Sequence, residues 1–320
     1  MTTKLSCRFL LATLTAYLYL HSFLGTTSDG QLLAEDPAPA AIATEVDPKQ
    51  TCSVATSEDC GKERKDASDS INIVLLAADK DHGPAGNGFH DYPSWQKQFA
   101  SLLRGEQRSQ PDNDEPDRET KCEAERLAVS YAWAWPTDQQ FATADVIVAY
   151  CYIAWTDEKL AQMQQYLKQG GGLVLLHSAT WTKPGPMASV AEVTGIGGFS
   201  LYRRGDVQMQ IAKPDHPVCD GLPRSFHFEN DETYWPPTPL ADNVTVLATS
   251  VEGRGAKGAT EEAAQPVLWS YELGRGRVVG CVLGHCLHTF DSPEFQTILL
   301  RSVGWVAGEE PQPFAKALMN

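Results

Sequence analysis

The sequence predicts a doubly wound α/β fold, with a mostly parallel sheet and helices on both of its faces. Three short and continuously apolar segments indicate strands that are buried on both faces: Ile71–Ala78, Asp145–Tyr150 and Leu173–His177. Segments with helix-capping residues lie between and after these strands. Strands and helices that alternate in this way are typical of crossovers between parallel strands, so we expect one domain over residues 71–308.

The predicted helices follow from local capping signals. A polar, glycine-rich loop after the first strand leads into a helix over residues 94–104. Thr156 can cap the next helix, because a threonine side chain accepts a hydrogen bond from the first turn, and the acidic residues that follow it favour the helix dipole. The last helix begins after Ser292, with Pro293 at its first position.

The second half of the domain is richer in predicted strands, and polar segments flank or interrupt the domain. The strands are predicted over residues 207–212, 244–249, 267–271 and 277–283. Residues 106–119 are strongly acidic and are predicted to form a surface insertion. Residues 309–320 are expected to form a C-terminal tail.

The N-terminus has the pattern of a secretory signal, and we assign residues 1–34 to it. Lys4 and Arg8 precede an apolar run from Phe9 to Leu24. This run is shorter than the roughly 20 residues of a membrane-spanning helix, although an uncleaved N-terminal anchor stays open as an alternative. Residues 35–70 lack apolar periodicity and are predicted to be a disordered acidic linker. We therefore expect an exported protein, periplasmic or extracellular.

The charge balance excludes some classes of partner. The chain has 26 basic and 41 acidic side chains, for a formal net charge of −15. Nucleic acids and anionic membrane surfaces need a basic face, so we expect neither as a partner beyond the signal segment. The glycine motifs that bind phosphates, GxxxxGK[ST] and GxGxxG, do not occur, which argues against a nucleotide cofactor. The sequence leaves the oligomeric state open.

Histidines follow the ends of the predicted strands. His82 and His90 follow the first strand, His177 ends the third, and His285 and His288 follow the strand over 277–283. Ligands of open α/β sheets bind at the carboxyl ends of the strands, and histidine is both an acid–base group and a metal ligand. We predict His82, His177 and His285 as catalytic residues, with His90 and His288 in substrate binding. A divalent metal, zinc or similar, is a candidate cofactor for two or three of His82, His90, His177 and His285.

Acidic and aromatic side chains supply further candidates. Asp231 and Glu232 are predicted to orient a histidine or to act as a base, although solvation at the surface explains either residue equally well. Trp155 and Trp181 lie near strand ends and are candidates for stacking on a sugar ring, with core packing as the alternative. Tyr234 is a third candidate for substrate binding.

The sequence lacks the usual frame for a nucleophile. A nucleophile elbow needs Gly-x-Ser-x-Gly, whereas the turn around Ser178 reads LLHSAT and has neither glycine. A hydrolase that uses Ser178 is therefore a minor alternative, and nucleophilic chemistry in general is disfavoured.

The order of the motifs resembles the ThuA-like family, which is named for trehalose utilisation. The resemblance covers roughly residues 71–308 and is closest to the secreted members of planctomycete-type bacteria. It is carried by DHGPAGNGFHDYP, DVIVAYC, GGGLVLLHSAT, DHPVCDGL, ENDETYW and GRGRVVGCVLGHCLHTF. The resemblance implies a flavodoxin-like fold, similar to class I glutamine amidotransferases without their cysteine nucleophile. It also implies a link to disaccharides or oxidised sugars.

Individual residues match the family's pattern. The family's loop histidine matches His82, its strand-end histidine matches His177, and its Gly-His pair matches Gly284 and His285. Its Asp-Glu-x-Tyr stretch matches the chain from Asp231 to Tyr234, with threonine at the third position, where the family commonly has tryptophan.

Together, the residues and the resemblance lead to one functional hypothesis. We expect a sugar-processing isomerase, lyase or hydrolase that acts on disaccharides or keto sugars by histidine and carboxylate acid–base chemistry, with a small carbohydrate as its partner. It would not be a glutamine amidotransferase. The alternative is a non-catalytic carbohydrate-binding or scaffolding domain.

Overall fold

The computed structural model describes residues 70–84, 86–106, 125–253 and 262–319. These residues belong to one compact unit, which spans Ser57–Asn320. The predicted signal, nearly all of the linker and nearly all of the acidic insertion lie outside the described residues. Within the described ranges, no helix combines the length and apolarity that crossing a membrane requires.

A nine-stranded mixed sheet forms the centre of the fold. Its strands, in the order of the sheet, are β2-β1-β3-β4-β9-β8-β7-β5-β6. Pairing is parallel from β2 to β9 and antiparallel from β9 to β6. The bounds are β1 (Ile71–Ala77), β2 (Leu127–Trp133), β3 (Val146–Ala149), β4 (Gly172–Leu176), β5 (Phe199–Ile211), β6 (Ser225–Pro237), β7 (Thr245–Glu252), β8 (Ala263–Leu273) and β9 (Gly276–Cys281).

Helices cover both faces of this sheet. Two predicted caps are confirmed: the Thr156 side chain accepts a hydrogen bond from the N–H of Lys159, and Ser292 accepts one from Phe295. Short 3₁₀ helices follow two of the strand ends, at His177–Thr180 and Leu287–Asp291. The α-helices are α1 (Tyr92–Leu103), α2 (Asp138–Thr143), α3 (Asp157–Lys168), α4 (Ala188–Thr194), α5 (Pro293–Ala307) and α6 (Pro311–Met319).

The structure confirms the α/β class and refines the predicted sheet. The continuously apolar segments are indeed parallel strands, and every residue of β3 and β4 is buried. The sheet is mixed rather than mostly parallel, because β5 to β8 pair in antiparallel fashion and β9 joins them to the parallel half. Two strands were not predicted from the sequence: β2, an edge strand in which only Leu127 and Ala132 are buried, and β6. The segment of α6 was predicted to be a tail rather than a helix.

The topology determines where a ligand can bind. The strand β1 lies between β2 and β3 in the sheet. After β1, the chain therefore forms its next strand, β2, on one side of β1 and the following strand, β3, on the other side. Such a reversal opens a crevice at the carboxyl ends of the central strands. The loops that follow β1, β4 and β9 meet at this crevice, and they carry the histidines predicted from the sequence.

Candidate active site

Three imidazole nitrogens converge at the carboxyl ends of the central strands. The Nε2 atom of His90 lies 3.0 Å from Nε2 of His177 and 3.0 Å from Nδ1 of His285. The third side of this triangle, between His285 Nδ1 and His177 Nε2, measures 3.2 Å. We call these three residues the histidine triangle. They come from three loops that are distant in sequence, so the sheet is what brings them together.

Hydrogen bonds at the Nδ1 atoms of His177 and His90 determine which nitrogen of each ring carries the proton. The Nδ1 atom of His177 lies 2.7 Å from the carbonyl oxygen of Val282, which can only accept, so this nitrogen carries the proton. Nδ1 of His90 lies 2.7 Å from a carboxylate oxygen of Asp81 and donates in the same way. In the neutral rings, both Nε2 atoms therefore direct lone pairs towards each other. One added proton could satisfy only one of the three contacts, whereas a cation between the nitrogens could satisfy all of them.

Burial keeps protons away from this cluster. Desolvation lowers the pKa of the His177 imidazole well below its ordinary value, and the charges of His90 and His285 lower it further. Burial, followed by the charge of His90, lowers the pKa of His285 to about 3. Nε2 of His285 is buried and has no hydrogen-bond partner among the described residues. At neutral pH, the rings of His177 and His285 are therefore neutral and able to act as metal ligands.

The backbone adopts uncommon conformations to aim these rings. His90 and His177 have φ values of 45° and 46°, in the left-handed region that non-glycine residues seldom adopt. Each such residue costs roughly 1–2 kcal/mol. Gly284, directly before His285, has φ of 112°. Strain at two of the three converging histidines is the pattern expected where geometry serves a site rather than stability.

Asp231 holds the third loop in place. Its carboxylate is fully buried and accepts hydrogen bonds from the backbone N–H groups of Gly284 and His285, at 3.0 and 2.8 Å. It also accepts from the Thr289 hydroxyl at 2.8 Å and from the N–H of Glu232 at 2.7 Å. Burial raises the pKa of Asp231, and these hydrogen bonds oppose the rise. The predicted catalytic residue Asp231 is thus placed as a positioning residue for His285.

Glu232 faces the histidine triangle from β6. Its Oε1 atom lies 3.7 Å from Nε2 of His177 and 3.6 Å from Nδ1 of His285. Burial raises the pKa of the Glu232 carboxyl to about 7, although its hydrogen bond with Tyr234 lowers it in part. A carboxylate with a pKa near neutrality is suited to accept a proton and return it. The hydroxyl of Tyr234 also lies 2.8 Å from Nε2 of His177.

The β5–β6 hairpin explains why neighbouring residues have different roles. Successive side chains of a strand point to opposite faces, so Glu232 and Tyr234 share a face while Asp231 takes the other. In the register of the hairpin, Arg204 pairs with Glu232 and Tyr202 pairs with Tyr234. Directly paired residues project from the same face, which brings Tyr202 to the site as well.

These side chains surround a cavity of about 310 Å³, near the lower end of the size range of ligand sites. The cavity combines ionisable groups at its centre with aromatic rings. It is lined by Asp81, His82, His90, Tyr152, Ser178, Trp181, Lys183, Tyr202, Glu232, Tyr234 and His285.

The other predicted site residues are not part of the histidine triangle: His82 and Trp181 line the cavity around it, whereas His288 and Trp155 do not. His82 is exposed at the cavity wall, with its ring 4.9 Å from that of His90, and it belongs with Asp81 and His90 to a separate group of close donor atoms. His288 does not line the cavity: the 3₁₀ helix turns it outward, where it hydrogen-bonds the carbonyl of Glu229 at 3.0 Å. Trp155 packs against the core, 6.0 Å from the ring of Trp135, as the alternative interpretation expects. Trp181 does line the cavity.

Several residues of the site were not predicted from the sequence. Asp81, beside His82 in the loop, orients His90 and is itself hydrogen-bonded by the Tyr92 hydroxyl at 3.0 Å. Burial acts to raise the pKa of Asp81, but the hydrogen bond and charge of His90 outweigh it and lower the pKa. Its position next to a loop histidine was a usable signal. Lys183 and Tyr202 offered none, because their placement depends on loop and hairpin geometry.

Comparison with known proteins agrees with this architecture. A crystal structure described as a ThuA-like protein from Bacteroides uniformis aligns with a TM-score of 0.56 and 17% identity, over 78% of this chain and 99% of the other. A second, from Parabacteroides merdae, aligns with a TM-score of 0.50 and 20% identity, over 76% and 92%. At these identities, the likeness concerns the fold alone.

The sequence itself gives the family. No curated protein matches it at a significant level. The family model ThuA, described as trehalose utilisation, matches residues 90–306, a span that contains the whole histidine triangle, Asp231 and Glu232. The resemblance seen in the motifs is therefore confirmed over most of the chain, and the protein belongs to the ThuA family.

Proposed function

We propose that this protein is a metal-dependent enzyme that processes disaccharides or their keto derivatives by proton transfer. The observation that carries the proposal is the histidine triangle, whose nitrogens lie 3.0 to 3.2 Å apart, with the lone pairs of His90 and His177 directed inward. Two nitrogens bound to one zinc ion at bond lengths of about 2.0–2.1 Å lie about 3.3 Å apart in a tetrahedral site. The separations in the protein are close to this value.

The donor set suits a divalent cation. His90, His177 and His285 would supply three neutral imidazole nitrogens, and Glu232 lies near enough to supply a carboxylate oxygen. Hydrogen bonds to Asp81 and to a backbone carbonyl hold two of the rings from behind, as is usual for histidines that bind metals. Zinc fits such ligands, and so do similar first-row ions. When bound, the cation would supply positive charge that polarises a carbonyl or hydroxyl oxygen of the sugar.

Glu232 is the proposed base. A carbon next to a keto group carries a weakly acidic proton, and Glu232 would take that proton while the C–H electron pair moves towards the carbonyl oxygen. Return of the proton to the former carbonyl carbon, with the hydroxyl proton of the first carbon passing to the carbonyl oxygen, gives an isomer. Elimination instead removes a substituent, with its bonding electron pair, from the carbon on the other side of the deprotonated carbon, as the carbonyl re-forms. Without a cation, burial raises the pKa of Glu232 to about 7. A cation at the histidine triangle would lower this pKa and favour the ionised carboxylate, which is the form that accepts a proton. The Tyr234 hydroxyl is within reach of both His177 Nε2 and Glu232, and it would donate its one proton to the Glu232 carboxylate, keeping it oriented, when the lone pair of His177 is held by a cation.

The family's description supports a sugar as substrate, and so does the cavity. The matching model is described as trehalose utilisation. Aromatic rings and polar groups line the same cavity, which suits a molecule with both C–H faces and hydroxyls.

The test is turnover of trehalose and of its keto derivative by zinc- or manganese-loaded protein. We expect turnover of the keto sugar, and a loss of roughly 10²- to 10⁴-fold in kcat when Glu232→Gln removes the base. Metal content should stay unchanged in this variant if the three histidines dominate binding. Binding of sugar without turnover would instead support a non-catalytic carbohydrate-binding domain, and equal kcat values for the variant and the wild type would contradict the role of Glu232.

A further inference from the structure

A series of aromatic rings leads outward from the histidine triangle. The ring of Tyr234 stacks on His177 with 4.8 Å between centroids, and Trp181 contacts Tyr234 edge-on at 4.9 Å. Tyr202 lies next in the series, 6.2 Å from Trp181. Exposure rises along it: His177 is fully buried, Tyr234 is 4% exposed, Trp181 is half-buried and Tyr202 is 61% exposed. The rings thus connect the reacting centre to the solvent.

The two outer rings are held by the same elements as the centre. Trp181 directly follows the 3₁₀ helix that His177 begins, so the two side chains are fixed by one short segment. Tyr202 pairs with Tyr234 across the β5–β6 hairpin. Neither ring reaches the histidine triangle itself, and the acid–base chemistry does not use them. Their position at the outer end of the cavity is therefore unexplained by the proposed reaction alone.

The cavity mouth carries a further ring and a cation. Tyr152 lines the cavity just after β3, and the Nζ atom of Lys183 lies 4.4 Å from the centre of its ring. Aromatic rings with polar tips pack against apolar surface while their hydroxyl or N–H groups remain hydrogen-bonded. A sugar ring offers such a partner, because one face of it is made mainly of C–H groups and its edge is made of hydroxyls.

We propose that Trp181 and Tyr202 form a subsite for the second, unreacted sugar ring of a disaccharide, with Tyr152 and Lys183 at its edge. This inference rests on the proposed function, in which the first ring reacts beside Glu232. With one ring at the histidine triangle, the next ring along the cavity meets Trp181 and then Tyr202. The subsite makes the protein selective for disaccharides over single sugars, and it acts on substrate affinity rather than on proton transfer.

Binding tests the subsite without relying on turnover. Trehalose and glucose would be titrated into the metal-loaded protein by calorimetry, for the wild type, Tyr202→Ala and Trp181→Ala. We expect trehalose to bind about tenfold more tightly than glucose, a difference of roughly 1.4 kcal/mol, and the two variants to lose most of it. Tyr131→Ala is the matched control, since Tyr131 is a comparably exposed tyrosine (48%) on β2 that does not line the cavity.

The two variants differ in how much they put the folded structure at risk. Tyr202 is exposed, so its removal should leave the fold intact even if Trp181→Ala perturbs packing against Tyr234. Equal affinity for the two sugars, absence of binding by both, or a preference that survives in Tyr202→Ala would overturn the subsite.

Kinetics then tests the proposed function by itself. A keto disaccharide and the matching keto monosaccharide would be compared, and Tyr202→Ala should raise KM about five- to tenfold for the disaccharide alone with kcat preserved. Turnover of both substrates with equal KM would overturn the subsite and leave the proposed function standing. A disaccharide preference in binding, without turnover of either keto sugar, would overturn the function and leave the subsite standing.

Discussion

Replacement of Asp231 tests how the third loop of the site is held. The carboxylate accepts four hydrogen bonds, from three backbone N–H groups and the Thr289 hydroxyl. In Asp231→Asn, the amide oxygen can replace Oδ1 and keep the bonds from Glu232 and His285. The amide nitrogen would then replace Oδ2. The Thr289 hydroxyl can rotate and accept from it, but the backbone N–H of Gly284 would lose its acceptor at 3.0 Å and keep only its longer contact, 3.3 Å, with the oxygen at the Oδ1 position.

The magnitude follows from this weakened Gly284 hydrogen bond, for which the cost of a wholly unpaired N–H is the upper limit. A buried N–H without an acceptor costs about 1–3 kcal/mol. Burial raises the pKa of Asp231, so removal of its charge returns part of this cost. We therefore expect Asp231→Asn to lower the free energy of unfolding by about 1–2 kcal/mol, and Asp231→Ala, which removes every acceptor, to lower it further. Since His285 is positioned through the same carboxylate, metal affinity should fall by roughly 10- to 100-fold in Asp231→Asn.

The assay is urea unfolding followed by tryptophan fluorescence at pH 7.5, together with zinc titration of each variant. Thr289→Val is a graded companion that removes one hydrogen bond and should cost about 1 kcal/mol. Asp242→Asn, at an exposed aspartate, is the control and should change stability by less than about 0.5 kcal/mol. If Asp231→Asn matched the wild type in both stability and zinc affinity, the positioning role would be refuted.

Two further predictions concern partly buried polar groups outside the site. Burial lowers the pKa of His216 to about 4, so the neutral ring, which accepts from the N–H of Val218, stabilises the fold fully above about pH 6.5 and progressively less as the pH falls towards 4. With allowance for screening of the partly exposed ring, urea unfolding at pH 7 and pH 4.5 should show the wild type losing about 1–2 kcal/mol more than His216→Gln, and equal losses would speak against it. Arg203 contacts Glu252, which is 1% exposed, with Nε 2.5 Å from a carboxylate oxygen. Arg203→Met should destabilise by about 3 kcal/mol in the same assay and the double variant with Glu252→Met by much less, whereas a double variant as unstable as the single one would contradict the pairing.

The elements that could be predicted from the sequence are those with a signal in neighbouring residues. Continuous apolar runs identified β1, β3 and β4, and side-chain caps identified the starts of α3 and α5, because each depends on residues close in sequence. Pairing between distant segments does not have such a signature. The polar stretch in β6 reads as a surface loop, although its register with β5 places Glu232 and Tyr234 in the cavity.

The same distinction applies to the site. Positions after strand ends were enough to predict that His82, His90, His177 and His285 lie at one edge of the sheet, since parallel strands end there. They did not show that His90, rather than His82, completes the triangle with His177 and His285. The separate roles of Asp231 and Glu232 were not predictable, because they depend on which face of β6 each residue takes. The outward direction of His288 was not predictable either. His288 lies only three residues beyond His285, but it belongs to the 3₁₀ helix that begins at Leu287, and this helix decides where its side chain points.

The central claim is that the three imidazole nitrogens of the histidine triangle bind a divalent cation. The most direct measurement is zinc titration of chelator-treated protein, for the wild type and for His90→Ala, His177→Ala and His285→Ala, with His288→Ala as the matched control. We expect about one ion per wild-type chain, a loss of affinity of at least roughly 100-fold in each triangle variant, and wild-type affinity in the control. A wild-type protein that binds no zinc, manganese or nickel, or triangle variants that bind as tightly as the wild type, would contradict the account.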